Sequence, residues 1–294
     1  MTHVATLIAP ALDDTALARA RAELPDAGEP VWLAAGIAAD IPFSAEAGAD
    51  QRALSDRLRG ALGGAIDVVA QPIVYRRKRL LLADMDSTMI GQECLDELAD
   101  YAGLKAQVAA ITERAMRGDI AFEPALRERV ALLKGLPAKT IDDVIEKRVT
   151  LTPGGRTLVA TMRKHGALTC MVSGGFTPFT KRIAAMIGFD ESRGNTLDIA
   201  GGKLAGTVAE PIFGRDGKRA TLIELRNQLG LAAQETLAIG DGANDMDMIA
   251  AAGLGVAFHA KPKVAAAAPA RVDHGDLTAL LYVQGYRKTE FVER

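Results

Sequence analysis

Three short stretches of the 294-residue sequence carry polar residues where packing has no use for them. Asp84-Met85-Asp86-Ser87-Thr88 follows the wholly apolar run Leu80–Ala83. Ser173-Gly174-Gly175 follows Cys170-Met171-Val172, and Gly240-Asp241-Gly242-Ala243-Asn244-Asp245 follows Ile239. A fourth element, Lys218, lies between the second and the third. Carboxylates can act as nucleophiles, exchange protons with a reacting group or bind a hard cation through oxygen. A hydroxyl beside an unobstructed glycine amide can hold an oxyanion. Taken singly, each stretch has an ordinary explanation. Ser-Gly-Gly is a common turn, Asp241 beside Gly242 suits a turn, and a lysine after Asp216-Gly217 is ordinarily a solvated helix start. Lys203 and Arg219 compete with Lys218 for any role a cation would have.

The elements around these stretches give them a common place. After Pro153, strands at Ala167–Val172, Leu237–Ile239 and Leu254–Ala257 alternate with helices at Pro178–Met186, Ala220–Leu229 and Asp245–Ala251. A hairpin is expected between Leu197 and Val208, around Gly201-Gly202. Leu80–Ala83 reads as a strand buried on both faces. Alternating strands and helices predict an α/β fold with a Rossmann-like, doubly wound parallel sheet. Its site belongs at the carboxyl ends of the strands, where all three stretches fall. Residues 93–148 hold no convincing strand and repeat apolar residues at helical spacing, as in Leu95, Leu98 and Ala102 or Leu126, Val130 and Leu133. They form a helical insertion between the first stretch and the second.

The first 75 residues differ in charge and in pattern. They carry ten acids against five bases, and Arg76-Arg77-Lys78-Arg79 follows at once. That run reads as a solvated linker or a charged edge. Apolar runs at His3–Ala9, Pro30–Ala35, Ile37–Phe43 and Ile66–Tyr75 alternate with helices at Thr15–Glu23 and Ala49–Leu62. The order predicts a small ferredoxin-like α/β unit. We place the division at 1–78 and 79–294.

Composition excludes several classes of function. With 35 basic and 37 acidic residues the formal charge is −2, a poor match to a nucleic-acid partner. Aromatics are only 4%, which argues against base-stacking platforms. No apolar run approaches the ~18 residues needed to cross a bilayer. Residues 1–12 lack the basic start of a signal peptide. Cys94 and Cys170 form no CxxC pair, so both read as buried small residues in a reducing cytoplasm.

DxDST, a strand ending in Ser, a Lys and GDGxND, in that order, resemble the four motifs of the haloacid dehalogenase-like phosphatases. DMDSTMIGQE, VSGGF and GDGAND are similar to those of the phosphoserine phosphatase family, over about Leu80 to Leu281. The resemblance implies that Asp84 attacks phosphorus and forms an aspartyl phosphate. Asp86 would protonate the leaving alkoxide and then take a proton from the hydrolytic water. It implies Mg²⁺, ligated by Asp84, the backbone carbonyl of Asp86 and Asp241, with Asp245 orienting its waters. Ser173 and Gly174 would bind phosphoryl oxygens, Lys218 would offset charge, and Asn244 would hold Lys218 or a phosphate oxygen. The insertion would be a cap. Glu93 and Arg129, the latter in Leu126-Arg127-Glu128-Arg129-Val130, would meet the ammonium and carboxylate of phosphoserine, with Arg127 the fallback for Arg129. Met116 and Phe122 would cover the substrate.

The amino-terminal unit weakly resembles ACT-like domains. It has Pro10-Ala11-Leu12-Asp13 where amino-acid-binding members tend to have Gly. Dimerisation or stability, with a homodimer through this unit, is therefore expected ahead of serine sensing, and Trp32, Val4, Thr6 and Ile8 read as core. The leading expectation is Mg²⁺-dependent hydrolysis of phosphoserine, the last step of serine synthesis. The alternatives are another small phosphomonoester, phosphoryl transfer to homoserine, or a regulatory module that senses an amino acid.

Overall fold

The computed structural model describes every residue except Ala47, Gly118 and Arg294, and every side chain among them except those of Met116 and Arg117. The amino-terminal unit runs β1 (His3–Ile8), α1 (Asp14–Ala22), β2 (Val31–Ala34), β3 (Ala38–Phe43), α2 (Gln51–Ala61) and β4 (Asp67–Pro72). Its antiparallel sheet has the order β2-β3-β1-β4. Asp13 and Asp50 cap the two helices, accepting from Ala16 N and Ala53 N at 2.7 and 2.9 Å. Strand alternation divides the sheet between two cores. Ala5, Leu7, Ile41 and Phe43 pack with Leu17, Ala20 and Leu58 of the helices. Ile8, Leu33, Ala38 and Val69 join the core of the rest of the chain instead. Trp32 is half-buried against the first of these cores.

The second sheet has the order β12-β11-β10-β5-β6-β7, and every neighbouring pair is parallel. Its strands are β5 (Leu80–Asp84), β6 (Leu168–Phe176), β7 (Glu191–Asn195), β10 (Thr236–Gly240), β11 (Leu254–Phe258) and β12 (Ala270–Val272). Leu81 and Ala83 pack on one face with residues of α7 (Gly155–Lys164), α8 (Thr177–Ile187) and α12 (Ala279–Val283). Leu80 and Leu82 pack on the other with Leu222 and Leu225 of α9 (Arg215–Gln228) and Met248 of α10 (Met246–Ala251). Burial on both faces is what the unbroken apolar run of β5 requires. The chain leaves β5 for β6 and β7 on one side and for β10, β11 and β12 on the other. The switch of direction therefore falls beside β5, and a ligand crevice belongs at its carboxyl end.

The helical insertion holds α3 (Cys94–Tyr101), α4 (Lys105–Arg117), α5 (Phe122–Leu132) and α6 (Thr140–Lys147). The hairpin of β8 (Leu197–Ala200) and β9 (Lys203–Val208) belongs with it, since Gly135 N donates to Leu204 O at 2.8 Å and Ala138 N to Gly202 O at 2.9 Å. Helix α11 (Pro262–Ala267) covers Ala257 through Val264.

The run Arg76–Arg79 corrects the expectation of a solvated linker. Arg76 binds Asp40 of β3 through both guanidinium ends at 2.6 Å and donates to Thr6 Oγ1 at 2.8 Å. It also donates to the carbonyls of Val283 and Tyr282 at 2.7 and 3.0 Å. Arg77 stacks on Tyr286 with 4.2 Å to the ring centre, and Lys78 is buried with its Nζ 2.7 Å from Gln234 O. Each cation meets acceptors that are remote in sequence, and Arg76 bolts the first sheet to α12 while Arg77, Lys78 and Arg79 fasten the run to the rest of the chain. Burial pulls the Lys78 ammonium down to about 8.

Removing one partner of a nearly buried ion pair typically costs about 3–5 kcal/mol. Arg76→Ala should therefore lower unfolding free energy by about 3 kcal/mol in urea titrations. Arg76→Lys, which keeps the charge but loses the fork, should fall between. An unchanged urea midpoint for Arg76→Ala would show that this contact does not hold the sheets together.

Candidate active site

Asp84 ends β5, buried between its neighbours, with its backbone in register with Val172 of β6. Lys218 projects from the first turns of α9 and is wholly buried. Its Nζ donates to Asp84 Oδ1 at 2.5 Å and to Asp245 Oδ1 at 2.7 Å. Asp245 Oδ2 in turn accepts from Gly242 N at 3.0 Å. Asn244 is therefore not the partner of Lys218. The residue next to it in sequence takes that place. Gly240 makes room for this carboxylate, because a Cβ there would lie 2.3 Å from Asp245 Cγ.

Asp84, Asp241 and Asp245 are all buried, and one carboxylate oxygen from each lies within 4.8 Å of the others. A single ammonium cannot neutralise three carboxylates. Burial first, and then Asp245, push the Asp84 carboxyl well above the usual range against the pull of Lys218. Burial and Asp245 likewise raise Asp241 to about 6. Lys218 is held above its ordinary value, since Asp84 and Asp245 outweigh the burial that would lower it. The excess negative charge and the all-oxygen donor set fit a hard divalent cation.

The segment after β5 turns sharply. Asp86 is extended and Ser87 has a φ of +54°. The turn aims Asp86 at the start of α3, where Oδ1 accepts from Cys94 N at 2.9 Å. Asp86 Oδ2 accepts from Ser173 Oγ at 2.9 Å, and Ser173 Oγ accepts from Gly175 N at 2.8 Å. Burial and the Glu93 charge raise Asp86 to about 6, with the Cys94 and Ser173 hydrogen bonds opposing. Ser173 itself is fully buried, and its hydroxyl proton goes to Asp86. Strand β6 runs on through Ser173-Gly174-Gly175 to Phe176, with a register shift after Val172, so this motif is an irregular strand and not a turn.

A cavity of about 170 Å³ opens over these groups. Asp84, Asp86, Gly174, Asp241 and Asn244 form its floor, and the insertion supplies Glu93, Phe122 and Arg129. Glu93 accepts from Ser87 Oγ at 2.8 Å. Arg129 is half-buried, its Nε 3.2 Å from Ala125 O, and burial lowers its pKa while Asp96 and Glu93 raise it. Arg127 points elsewhere and pairs with Glu210 at 2.6 Å. The Phe122 ring lies over Gly174 and Gly214, close enough that a Cβ on Gly214 would sit 3.1 Å from Cε1. Of the expected site residues, Ser173, Lys218 and Asp245 stand behind the floor, and the Met116 side chain lies outside the described residues. Sequence reasoning missed Gly175, Phe176, Leu95, Leu126 and Lys261, which also line the cavity. Lys261 was within reach, because it follows β11 and the carboxyl ends of parallel strands are where sites gather.

The profile described as haloacid dehalogenase-like hydrolase matches residues 81–250. The chain belongs to that family. Relatives within it include phosphoserine phosphatases. That of Polaromonas sp. is 44% identical over 224 residues, covering 74% of this chain and 95% of the relative. That of Streptomyces coelicolor is 45% identical over 230 residues, covering 78% of this chain, which spans only 56% of the relative's length. Among solved structures, a haloacid dehalogenase family hydrolase from Salmonella enterica serovar Typhi superposes with a TM-score of 0.85 at 29% identity, covering 96% of this chain and 98% of that one. A probable phosphoserine phosphatase from Vibrio cholerae gives 0.77 at 31%, covering 98% and 88%. The haloacid dehalogenase-like α/β fold is thereby shown, and no helix among the described residues is long and apolar enough to cross a membrane.

If the acidic group holds a divalent cation, adding Mg²⁺ to chelator-treated protein should raise its melting temperature by a few degrees. That matches roughly 2.7 kcal/mol of linkage at a hundredfold excess over Kd. Asp241→Asn should melt higher than the parent in chelator, because one repulsive charge is gone, and should lose most of the Mg²⁺ increment. An increment retained in full would exclude Asp241 as a ligand.

Proposed function

We propose that the protein hydrolyses phosphoserine to serine and phosphate through a phosphorylated Asp84, as the last step of serine synthesis. The observation that carries the reading is the joint placement of Asp84 and Asp86 at one cavity. Asp84 is backed by a buried lysine, Asp86 is held by Ser173 and Cys94 N, and an acid and an arginine stand on the facing insertion.

Each residue then has a separate task. Asp84 Oδ attacks phosphorus, and the bond from phosphorus to the serine oxygen breaks as Asp86 gives that oxygen its proton. Water then attacks the aspartyl phosphate while Asp86 takes a proton from it, which restores both carboxyl groups. Acid–base help of this kind typically contributes ~10²–10⁴-fold. Lys218 fixes Asp84 and balances part of the charge that gathers at phosphorus. Gly174 leaves the backbone open beside the phosphoryl position, and Ser173 keeps Asp86 aimed. Mg²⁺ held by Asp84, Asp241 and the Asp86 carbonyl, with Asp245 orienting its waters, would offset the repulsion between Asp84 and the phosphate dianion. On the insertion, Glu93 suits the substrate ammonium. Arg129 suits the carboxylate, which its planar fork can bind through two oxygens. Phe122 excludes water from above.

We read residues 1–78 as a brace and not as an amino-acid sensor. One face of its sheet is already covered by the core around α12, and Pro10 stands where a sensor's loop favours Gly.

A panel of phosphomonoesters with and without Mg²⁺ tests the proposal, with phosphoserine preferred and turnover dependent on the ion. A different preferred ester, or phosphate passed to added homoserine, would replace the reading. Asp84→Asn should abolish turnover, and retained activity would remove Asp84 as nucleophile. Arg129→Ala should raise KM for phosphoserine by about 10²-fold, the scale of a lost charged contact of ~3 kcal/mol, and far less for an aryl phosphate. Equal effects on both would assign the carboxylate to another residue.

A further inference from the structure

The cavity holds one cation with no assigned task. Lys261 lines it from the turn between β11 and α11 and is exposed there. Lys218 is bound by Asp84 and Asp245, and Arg129 is half-buried beside the acids Asp96 and Glu93. Among the described residues, no carboxylate pairs with Lys261. Its backbone is nevertheless fixed. Lys261 N donates to Asp241 O at 3.3 Å, and Pro262 opens α11 immediately after it. Two residues earlier, His259 N donates to Val272 O at 2.9 Å, and His259 Nε2 lies 2.8 Å from Gly275 O. A free ammonium on an anchored turn at the mouth of an acidic cavity is placed to act on an arriving anion.

We propose that Lys261 is a substrate-steering residue that draws the phosphate dianion of the substrate into the cavity. The proposal rests on the phosphatase reading above and deepens it. Around the mouth, Glu93 and Asp241 present negative charge, which repels a phosphomonoester at a distance. A cation that is exposed and unpaired counters that field along the approach, where Lys218 is buried too deep to act. The Lys261 charge also reaches Asp241, whose carboxyl it pulls downward against burial. A second role, damping the acidic group and nothing more, is therefore the competing account.

The test compares the parent with Lys261→Gln and Lys261→Arg, using phosphoserine and a small aryl phosphate across a salt series at saturating Mg²⁺. In low salt, Lys261→Gln should raise KM for both substrates by roughly three- to tenfold, with a smaller change in kcat, the scale expected of one steering charge. The gap should narrow as salt shortens the screening length below about 8 Å. Lys261→Arg should restore most of the loss. A KM that does not move, or that rises equally at all salt concentrations, would overturn the proposal. So would a parallel Mg²⁺ titration in which the only change is the concentration for half-maximal activity, which marks the damping role. If phosphoserine is not turned over while the aryl phosphate still shows the salt-dependent loss, the substrate assignment fails and the role of Lys261 stands.

Discussion

A buried ammonium between two carboxylates sets the terms for the whole site. Lys218 has no exposed surface, and a lysine there is tolerable only if its charge is met at short range. Asp84 and Asp245 meet it at 2.5 and 2.7 Å. Asp84 ends β5 and Asp245 lies in the turn after β10, so the parallel pairing of the two strands is a precondition of the contact. Gly240 is another, since any side chain there would occupy the space of Asp245. The arrangement is still incomplete in charge. Asp241 joins the same cluster, and the excess of carboxylate over ammonium is what fits the strand ends to hold a divalent cation.

The surrounding elements hold this centre from outside. Asp67, at the start of β4 in the amino-terminal unit, is buried and accepts from the backbone N–H groups of Asp273, His274 and Gly275 at 2.7 to 3.3 Å. Gly275 O then meets His259, two residues before Lys261. A continuous set of hydrogen bonds thus runs from the first sheet to the rim of the cavity. Arg76 makes a second connection, from Asp40 to the carbonyls that end α12. The amino-terminal unit contributes no side chain to the cavity lining, yet it fixes a turn that does.

Legibility in the sequence followed the range of the interactions. Strand β5 was readable because burial on both faces leaves an unbroken apolar run. The helical insertion was readable because each helix carries its own stripe. Strand β7, Glu191-Ser192-Arg193-Gly194-Asn195, was not, because an edge strand with solvent on it has no apolar pattern to show. Strand β12 has three residues, too few for a period. At the site, residue types and their order pointed to the positions that the fold brings together. They did not distinguish Asp245 from Asn244 as the partner of Lys218, because both lie in one motif and only a side-chain contact separates them. The run Arg76–Arg79 misled for a similar reason. Whether a cation is solvated depends on its partners, and those of Arg76 lie 36 to 207 residues away in sequence.

The insertion shows how a selective cavity is made from two pieces with separate sequence logic. The floor is set by strand ends and tolerates little change, since a Cβ at Gly240 or Gly242 would run into Asp245 or Asn244. The roof is set by helices whose buried stripes, such as Leu126 and Val130, are continuous with the main core. Their outward residues, Glu93 and Arg129, are free of that packing duty. Phe122 joins the two pieces, because its ring rests on the flat backbone of Gly174 and Gly214. A Cβ at Gly214 would press on the Phe122 ring at 3.1 Å, whereas one at Gly174 would only touch it. The same lack of side chains that leaves this backbone open to the cavity therefore also seats the roof.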